Sequence, residues 1–293
     1  MGRHPLLSRR ESDFKMMEFQ PELAQMTAFL KNSRVIDLGR VLEDGMPCSP
    51  SHPGFKMALI RRHGDRVNAH GMSGSNELLV LGGHVGTHVD ALCHVALAGK
   101  MFGGHDAYEA SHGGRYTVHG AETIEPFLCR GVLADIPKLL GLGRLAPGFG
   151  ITAEHVKRAL GDLDVQPGEV VLIRSGWPQL YSDPAAYLGV ESGVPGITSD
   201  AATYLADLGV RAVGCDTTAM DQLAAGVGHS SLPAHIVLLV QRGVHIIEVG
   251  DYEELAQSGA REFMFVAVPL KLKGATGSPI RPLAIVTLAD DKW

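Results

Sequence analysis

Short segments rich in β-branched and apolar residues recur along this chain, and segments with helical spacing of apolar residues lie between them. The two patterns predict strands and helices respectively. The predicted strands are 33–42, 55–62, 76–92, 130–136, 169–175, 210–216, 244–249, 262–270 and 283–288. Strands and helices mix without strict alternation, and no linker rich in Pro, Gly or Ser divides them. The sequence therefore predicts a single α/β domain with a mixed, partly antiparallel sheet.

Four segments have the spacing or the apolar character expected of helices. They are 19–31, 151–163, 198–209 and 232–243. Thr152 is predicted to cap the second helix, whereas Ser199 and Gly209 are predicted to begin and end the third. The last helix is almost wholly apolar, which predicts that it is buried.

The chain divides into a short N-terminal part and one large domain. We expect an arm and helix over residues 1–32 and the compact domain over 33–293. Within that domain, residues 97–125 are rich in Gly, His and polar side chains. This composition predicts a long surface loop near a functional site.

Composition and charge narrow the class of protein. Hydrophobic residues make up 45% of the chain, and the net charge is -6 with histidines neutral. Basic clusters with interleaved aromatics are missing, and so are apolar runs of about 20 residues, so we expect neither a nucleic-acid partner nor a membrane span. The cysteines are Cys48, Cys93, Cys129 and Cys215. Their scattered spacing and the polar N-terminus predict a cytoplasmic protein without structural disulfides.

The stretch LGGHVGTHVDALCHV, residues 81–95, concentrates side chains that bind metals. It contains His84, His88, Asp90 and His94. Its glycines and β-branched residues disfavour a helix and favour an extended segment. Side chains alternate along an extended chain, so these even-numbered residues start from one side, although a turn after Asp90 would redirect His94.

Imidazole nitrogens together with a carboxylate suit Zn²⁺ or Mn²⁺ better than Ca²⁺. Gly86 allows a close approach of the backbone or a strained turn, and Thr87 can orient a ligand by hydrogen bonding. The structural alternative is that these are ordinary buried histidines satisfied by hydrogen bonds. That alternative fits any one of them alone, but the clustering favours a metal site.

The segment HVGTHVDALCH resembles the H-x-G-T-H-x-D-x-P-x-H signature of the metal-dependent cyclase/hydrolase family, which includes bacterial kynurenine formamidase and isatin hydrolase. The resemblance continues through the segments 37–50, 168–177, 195–198, 213–221 and 234–249. It implies a swivelling β/β/α fold and a homodimer or homotetramer. It also implies a small-molecule substrate and one or two divalent ions, Zn or Mn.

The resemblance assigns roles to the residues of the motif. His84, His88 and Asp90 match its metal ligands, and His94 matches its catalytic histidine. One departure is Leu92, which stands where the motif has proline.

A histidine and a glutamate later in the chain resemble those that complete a two-metal site in the formamidases. They are His235, on the apolar helix, and Glu248, on the following strand. His229 and His245 are rival histidines, and His245 differs in strand parity from Glu248, which predicts that it points elsewhere. A carboxylate in so apolar a strand is costly unless it is paired or binds a metal, which favours Glu248 as a ligand.

A bound divalent ion lowers the pKa of its water toward about 7 and polarises a carbonyl group. The sequence therefore predicts a hydrolase of a small amide, lactam or lactone, with His94 as the general base and acid. If two ions bind, Asp90 and Glu248 are the expected bridging ligands. A cyclase or lyase on the same site, or a metal-binding or ligand-binding protein without turnover, are the alternatives.

Three further residues are candidates for substrate contact. Ser49, in PCSPSHPG, stands where formamidases carry a tryptophan in a segment similar to PVWPGD. Asp216, in CDTTAMD, follows a predicted strand, and its alternative role is in a turn or cap. Trp177, in SGW, is either a substrate contact or a core indole.

Overall fold

The computed structural model describes residues 21–287, which fall into two compact units. Among the described residues, one unit consists of Pro21–Arg34 and Thr287. Its helix α1, Pro21–Lys31, is the described part of the helix predicted over 19–31. Residues 1–20, which contain most of the predicted N-terminal arm, lie outside the described residues.

The larger unit, Val35–Val286, contains the sheet, apart from the outer ends of its first and last strands, and the remaining helices. The strands are β1 (Ser33–Asp37), β2 (Lys56–Arg61), β3 (Asn76–Val80), β4 (His88–Asp90), β5 (Ser111–His112), β6 (Arg115–Tyr116), β7 (Phe127–Asp135), β8 (Gly150–Ile151), β9 (Val170–Arg174), β10 (Gly196–Ile197), β11 (Ala212–Cys215), β12 (His245–Glu248), β13 (Glu262–Ala267), β14 (Gly277–Pro279) and β15 (Leu283–Thr287). The helices are α2 (Ala107–Ala110), α3 (Ile136–Leu140), α4 (Ala153–Leu160), α5 (Pro184–Leu188), α6 (Ser199–Asp207), α7 (Pro233–His235) and α8 (Glu253–Ser258).

One sheet of nine strands organises this unit, in the order β1-β15-β13-β7-β9-β11-β12-β4-β14. Strands β7, β9, β11 and β12 are parallel neighbours in its centre. Strand β13 pairs antiparallel with β7 and β15, and β4 pairs antiparallel with β12 and β14. The mixed sheet confirms the predicted α/β class.

Apolar residues on the two faces of the sheet enter two separate cores. In β9, Val170 and Leu172 face one core, and Val171 and Ile173 face the other. This alternation explains why a central strand reads as a continuous apolar run. Helices α4 and α6 cover the second core, which positions the strand ends that carry the candidate site.

The single strand predicted over 76–92 is wrong. The structure has two strands, β3 and β4, separated by a turn. Gly86 lies in this turn with φ +61°, a conformation that interrupts a strand and favours glycine. Gly83 approaches the backbone so closely that an added Cβ would lie 2.9 Å from the Gly277 carbonyl oxygen.

The long surface loop predicted over 97–125 is also wrong. This segment contains short helices and a small hairpin formed by β5 and β6. Its apolar side chains Met101, Ala110, Ala121 and Ile124 are buried in one of the two cores. Its glycines and polar residues therefore form tight turns between short packed elements.

The predicted helices are present with altered ends. Thr152 caps α4 as predicted, and its hydroxyl accepts a hydrogen bond from the His155 backbone. The residue before α6 is Thr198 rather than the predicted Ser199, which lies in the first turn. The segment predicted as one helix over 232–243 consists of α7 followed by a π-helical stretch, Ile236–Arg242. None of the helices in the described range is long and apolar enough to cross a bilayer.

Candidate metal centre

The turn before β4 fixes the orientation of the first histidines. The Gly86 carbonyl accepts a hydrogen bond of 2.8 Å from Nδ1 of His88. Since a carbonyl oxygen only accepts, Nδ1 carries the proton and Nε2 presents a lone pair on the other side of the ring. The Thr87 hydroxyl donates to the Val249 carbonyl at 2.8 Å, which attaches this turn to the end of β12. The predicted orienting role of Thr87 thus takes the form of a backbone anchor.

The register between β4 and β12 brings two acidic side chains to one face. Glu248 lies directly opposite His88 in this antiparallel pair. His88 and Asp90 are two residues apart on β4 and therefore point to the same face, which is also the face of Glu248. Nε2 of His88 lies 3.5 Å from Oδ1 of Asp90 and 3.5 Å from Oε2 of Glu248.

Two further imidazoles reach the same carboxylates from outside β4. Nδ1 of His84 lies 2.8 Å from Oδ1 of Asp90, and its Nε2 lies 2.9 Å from the Thr276 hydroxyl. Nε2 of His235 lies 3.6 Å from Oδ2 of Asp90 and 3.3 Å from Oε1 of Glu248. The convergence predicted for His84, His88 and Asp90 is thus present, but a turn creates it and not a continuous strand.

Asp221 holds His235 in place. Its carboxylate accepts hydrogen bonds from the backbone N–H groups of Ala234 and His235, at 2.5 and 3.1 Å. It also accepts from Nδ1 of His235 at 2.7 Å. The ring proton therefore lies on Nδ1, and Nε2 faces the other carboxylates with a free lone pair.

The unpaired atoms at this centre fit a divalent cation. Nε2 of His88 and Oδ2 of Asp90 are buried without a hydrogen-bond partner among the described residues, and Oδ1 of Asp90 has only the contact with His84. Ligand atoms of His84, His88 and Asp90 lie within 4.8 Å of one another, as do those of Asp90, His94 and His235. Buried polar atoms without partners are costly, so converging imidazole nitrogens and carboxylate oxygens indicate a site for an ion.

The pKa values of the buried groups also support a site for a divalent cation. Burial would lower the pKa of His88 and of His235, but hydrogen bonds and neighbouring carboxylates raise each to about 10. Burial would raise the pKa of Glu248, yet close contacts with the imidazoles of His235 and His88 lower it to about 2. The pKa of Asp90 is likewise held well below its usual range. Two buried carboxylates thus require positive charge, which protons on the imidazoles supply when an ion does not.

His94 lies just after β4 and stacks on His84, with ring centroids 4.0 Å apart. Burial lowers its pKa to about 4, and the charge of Asp90 only partly opposes this effect. The imidazole is therefore neutral near pH 7 and able to accept a proton. Its distance from Asp90 and His235 also suits a metal ligand. The geometry is compatible with either role.

A cavity of about 250 Å³ opens onto these residues. Its wall comes from the segment before β2, the histidine motif and the segments around 218–219, 229–235 and 248–249. Ser49 lies in this wall, where a contact with substrate is expected, and its hydroxyl is 3.4 Å from Nδ1 of His229. Residues 97–125 take no part in the described wall, which corrects their predicted place near the site.

Trp177 and Asp216 do not line this cavity, which favours their core and turn alternatives over contact with substrate. The Trp177 indole is buried and donates to the Tyr187 carbonyl at 2.7 Å. The Asp216 carboxylate is fully buried and accepts hydrogen bonds from the backbone N–H groups of Ser175 and Gly176. Both residues stabilise the chain after β9, so the core and turn alternatives apply.

The structure also brings in residues that the motif did not indicate. Asp221 orients His235, Thr276 contacts His84, and the His52 ring stacks on His84 with centroids 5.0 Å apart. The available signal for Asp221 was the segment AMDQL, in which the aspartate directly follows the apolar residues Ala219 and Met220. No local pattern identifies Thr276, because it meets His84 only through tertiary folding.

The two rival histidines have different places. His229 lines the cavity beside Ser49. His245 lies on β12 three residues before Glu248, and its Nδ1 donates to the Asp90 backbone carbonyl at 2.8 Å. It therefore supports the backbone of β4 and does not join the cluster of side chains.

The chain is similar in sequence to enzymes of known function. One relative, the isatin hydrolase of Roseibium aggregatum, is 28% identical over 93% of this chain and 100% of its own length. The kynurenine formamidase of Delftia acidovorans is 28% identical over 69% of this chain and 76% of its own.

Solved structures agree with these sequence relatives. A crystal structure described as a novel cyclase matches with a TM-score of 0.78 and 25% identity, covering 90% of this chain and 91% of that one. An isatin hydrolase bound to the product analogue thioisatinate matches with a TM-score of 0.72 and 25% identity, over 93% and 100% of the two chains. The family fold inferred from the motif is thereby confirmed. The sequence profile described as "Putative cyclase" matches residues 36–222, so the chain belongs to the cyclase family.

Proposed function

We propose that this protein is a metal-dependent hydrolase that cleaves the C–N or C–O bond of a small amide, lactam or lactone. The observation that carries the proposal is the fully buried Asp90 carboxylate, which lies among the imidazoles of His84, His88 and His235, where these line an open cavity. Relatives named isatin hydrolase and kynurenine formamidase share the family, which supports hydrolysis as the reaction class.

The ligand set we propose consists of His84, His88, Asp90, His235 and Glu248. When bound, a divalent ion supplies Lewis-acid activation of water and of the substrate carbonyl. Nitrogen and carboxylate donors in this ratio favour Zn²⁺ or Mn²⁺. If two ions bind, Asp90 would be shared between them, and His235 and Glu248, whose Nε2 and Oε1 lie 3.3 Å apart, would be further ligands.

His94 is the residue we assign to proton transfer. Its neutral imidazole takes a proton from the attacking water and returns it to the nitrogen or oxygen that leaves. Asp221 holds His235, and the amide N–H of Met220 donates to Oε1 of Glu248 at 2.9 Å. These contacts keep the donor atoms in fixed positions before the substrate arrives, which limits reorganisation during the reaction.

Two alternatives use the same residues. A cyclase or lyase would need the metal ligands and His94 as a base, without net addition of water. A protein that binds metal or ligand without turnover would need no proton carrier, and His94 would then serve as a ligand. The cavity in front of the cluster favours catalysis, because a structural zinc site is closed by protein ligands.

The test combines metal analysis with a hydrolysis screen of N-formyl anilides, isatins and lactones. We expect near-stoichiometric Zn or Mn in the wild type, and a loss of turnover of about 10²–10⁴-fold in His94→Ala with the metal content unchanged. His155→Ala is the matched control, because this histidine caps α4 far from the cluster. A protein that binds no divalent ion after reconstitution contradicts the proposal.

Other outcomes separate the alternatives. Loss of an ion together with turnover in His94→Ala identifies this residue as a ligand. Full metal content without turnover of any compound in either protein favours the cyclase or the binding protein. Where a compound is turned over, a product without ¹⁸O from H₂¹⁸O identifies a cyclase or lyase reaction, whereas hydrolysis incorporates the label.

We also propose that the protein works as a homodimer or homotetramer. Every residue of the hairpin formed by β2 and β3 is exposed, and apolar side chains project from both of its faces. They are Met57, Leu59, Ile60, Leu78, Leu79 and Val80. A hairpin of two strands is marginally stable alone, and an apolar surface of this kind is typical of an interface. Light scattering of the wild type and of Leu59→Lys tests this proposal, and a monomeric wild type contradicts it.

The compartment we propose is the cytoplasm. All four cysteines are free thiols, and Cys93 and Cys215 are buried. Burial raises the pKa of the Cys93 thiol to about 12, as expected for a packed and unreactive group. Free thiols are typical of a reducing environment.

A further inference from the structure

A second cavity adjoins the cavity of the metal centre and shares part of its wall. Its volume is about 240 Å³, and we call it the side chamber. Ser49, Ser51, Thr218 and His229 line both cavities, so the two meet at these residues. Together they reach the size of a typical small-molecule site, about 300–1,000 Å³.

The side chamber differs chemically from the metal cavity. Beyond the four shared residues, its wall is formed by Pro50, Leu188, Val190, Leu223, Ala224 and two glycines. The metal cavity, in contrast, is lined by imidazoles and by a carboxylate. Hydrocarbon is the chemical group that such a wall stabilises best, because its burial removes apolar surface from water on both sides.

Backbone hydrogen bonds hold the walls of the side chamber together. Val194 and Leu223 exchange hydrogen bonds of 3.0 Å in each direction, and the Gly226 N–H donates to the Val190 carbonyl at 2.9 Å. The loop after α5 is therefore tied to the loop after β11. A chamber fixed in this way binds its occupant without a large ordering cost.

One polar atom at the junction lacks a partner. The Thr218 hydroxyl oxygen is buried and makes no hydrogen bond within the described residues. A buried hydroxyl without a partner is costly unless a water or a ligand completes it. Its place where the two cavities meet suits a polar substrate atom next to the carbonyl group.

We propose that the side chamber is the subsite for an apolar acyl substituent of the substrate. The inference rests on the proposed hydrolase function and names the substrate class: amides, esters or lactones whose acyl side carries a short hydrocarbon group. The carbonyl lies at the metal centre, the hydrocarbon enters between Leu188, Leu223 and Ala224, and Thr218 contacts the polar atom between them.

The position of His94 assigns the chamber to the acyl side. His94 and Val95 line the metal cavity but not the side chamber. Water adds to the carbonyl carbon, the bond to nitrogen or oxygen breaks, and His94 delivers a proton to that leaving atom. The leaving group therefore lies on the His94 side, and the acyl substituent lies on the other.

The test measures kcat/KM for p-nitrophenyl esters with straight acyl chains from acetyl to octanoyl. In the wild type we expect a gain of about fourfold for each of the first added methylenes, as for burial of CH₂ groups. Ala224→Phe fills the chamber, so it should abolish this gain, and the dependence on chain length within each variant is the quantity compared. Ala225→Phe is the matched control, because the neighbouring Ala225 is exposed and lies outside the chamber wall.

A binding measurement keeps the inference testable if no ester is hydrolysed. Straight-chain carboxylates from acetate to octanoate are titrated into metal-loaded protein by calorimetry. Affinity that rises with chain length in the wild type and Ala225→Phe, but not in Ala224→Phe, supports the side chamber even without turnover. Affinity and kcat/KM that are independent of chain length in the wild type overturn it, whatever the state of the hydrolase proposal.

Discussion

Asp221→Asn is the substitution that most directly tests how the metal centre is held. The Asp221 carboxylate is fully buried and accepts two backbone hydrogen bonds as well as the ring N–H of His235. An asparagine offers one acceptor oxygen in place of two, and its amide N–H groups must then face another donor. The side chain of His235 therefore loses either its orientation or the negative charge that makes its ring more basic.

The expected losses of metal affinity and of stability follow from these contacts. Loss of such an orienting partner typically lowers metal affinity by about 10–100-fold. This range corresponds to about 1.4–2.7 kcal/mol of binding free energy. The unpaired donor at the start of α7 also lowers the free energy of unfolding, by about 1–3 kcal/mol.

The assay is competition for Zn²⁺ against a chelating indicator, with unfolding followed separately in urea. Asp216→Asn is the matched control, because Asp216 is an equally buried aspartate with backbone donors but no histidine. In a His235→Ala background, Asp221→Asn should have no further effect on metal affinity. Zinc affinity within about twofold of the wild type, in a variant that is folded, refutes the assigned role of Asp221.

Three other perturbations have defined outcomes. Metal at about 100 times its Kd should raise the unfolding midpoint by roughly 5–10 °C in calorimetry, and His88→Ala should abolish this shift. Burial raises the pKa of Asp216 to about 7, so the folded protein keeps a proton that the unfolded chain loses near its ordinary value of 3.8. The stability that this proton contributes is present at low pH and is lost as pH rises toward 7, by up to about 1.4 kcal/mol per pH unit. Urea unfolding should show that the free energy of unfolding falls with pH in the wild type relative to Asp216→Asn. Parallel pH profiles of the two proteins would contradict this prediction. Gly86→Ala should lower the free energy of unfolding more than Gly45→Ala. Both glycines have positive φ, but only at Gly86 would an added Cβ lie 2.5 Å from the Leu42 side chain. Equal losses of stability would exclude that contact as the cause.

Local sequence signals predicted the parts of the fold that depend on local forces. The Thr152 cap and the apolar run of β9 follow from hydrogen bonding and burial within a few residues. The break between β3 and β4 was not predicted, although Gly86 was recognised as a candidate for a strained turn. Alternation of apolar residues on both sides of that glycine resembles a continuous strand, and only the backbone angle at Gly86 distinguishes the two.

The residues that the structure brings together at the metal centre differ in how far the sequence could indicate them. The motif residues lie close together in sequence, and the family resemblance supplied His235 and Glu248. The sequence does not separate the alternative roles of Asp216 and Trp177, because an aspartate or a tryptophan after a strand has the same local pattern whether it faces a cavity or a turn. Packing between distant segments decides which of these environments each residue has. Patterns in a single sequence carry no information on that packing.

The register of β4 against β12 explains why the site and the core depend on each other. Val89 and Ile247 face one core, while His88 and Glu248 point to the opposite face, directly across from each other. A slip of one residue would move Glu248 to the apolar core and Ile247 to the metal centre, at the cost of an unpaired buried charge. Burial of Val89 and Ile247 therefore selects the register that assembles the ligands, and a bound ion stabilises the same register from the other face.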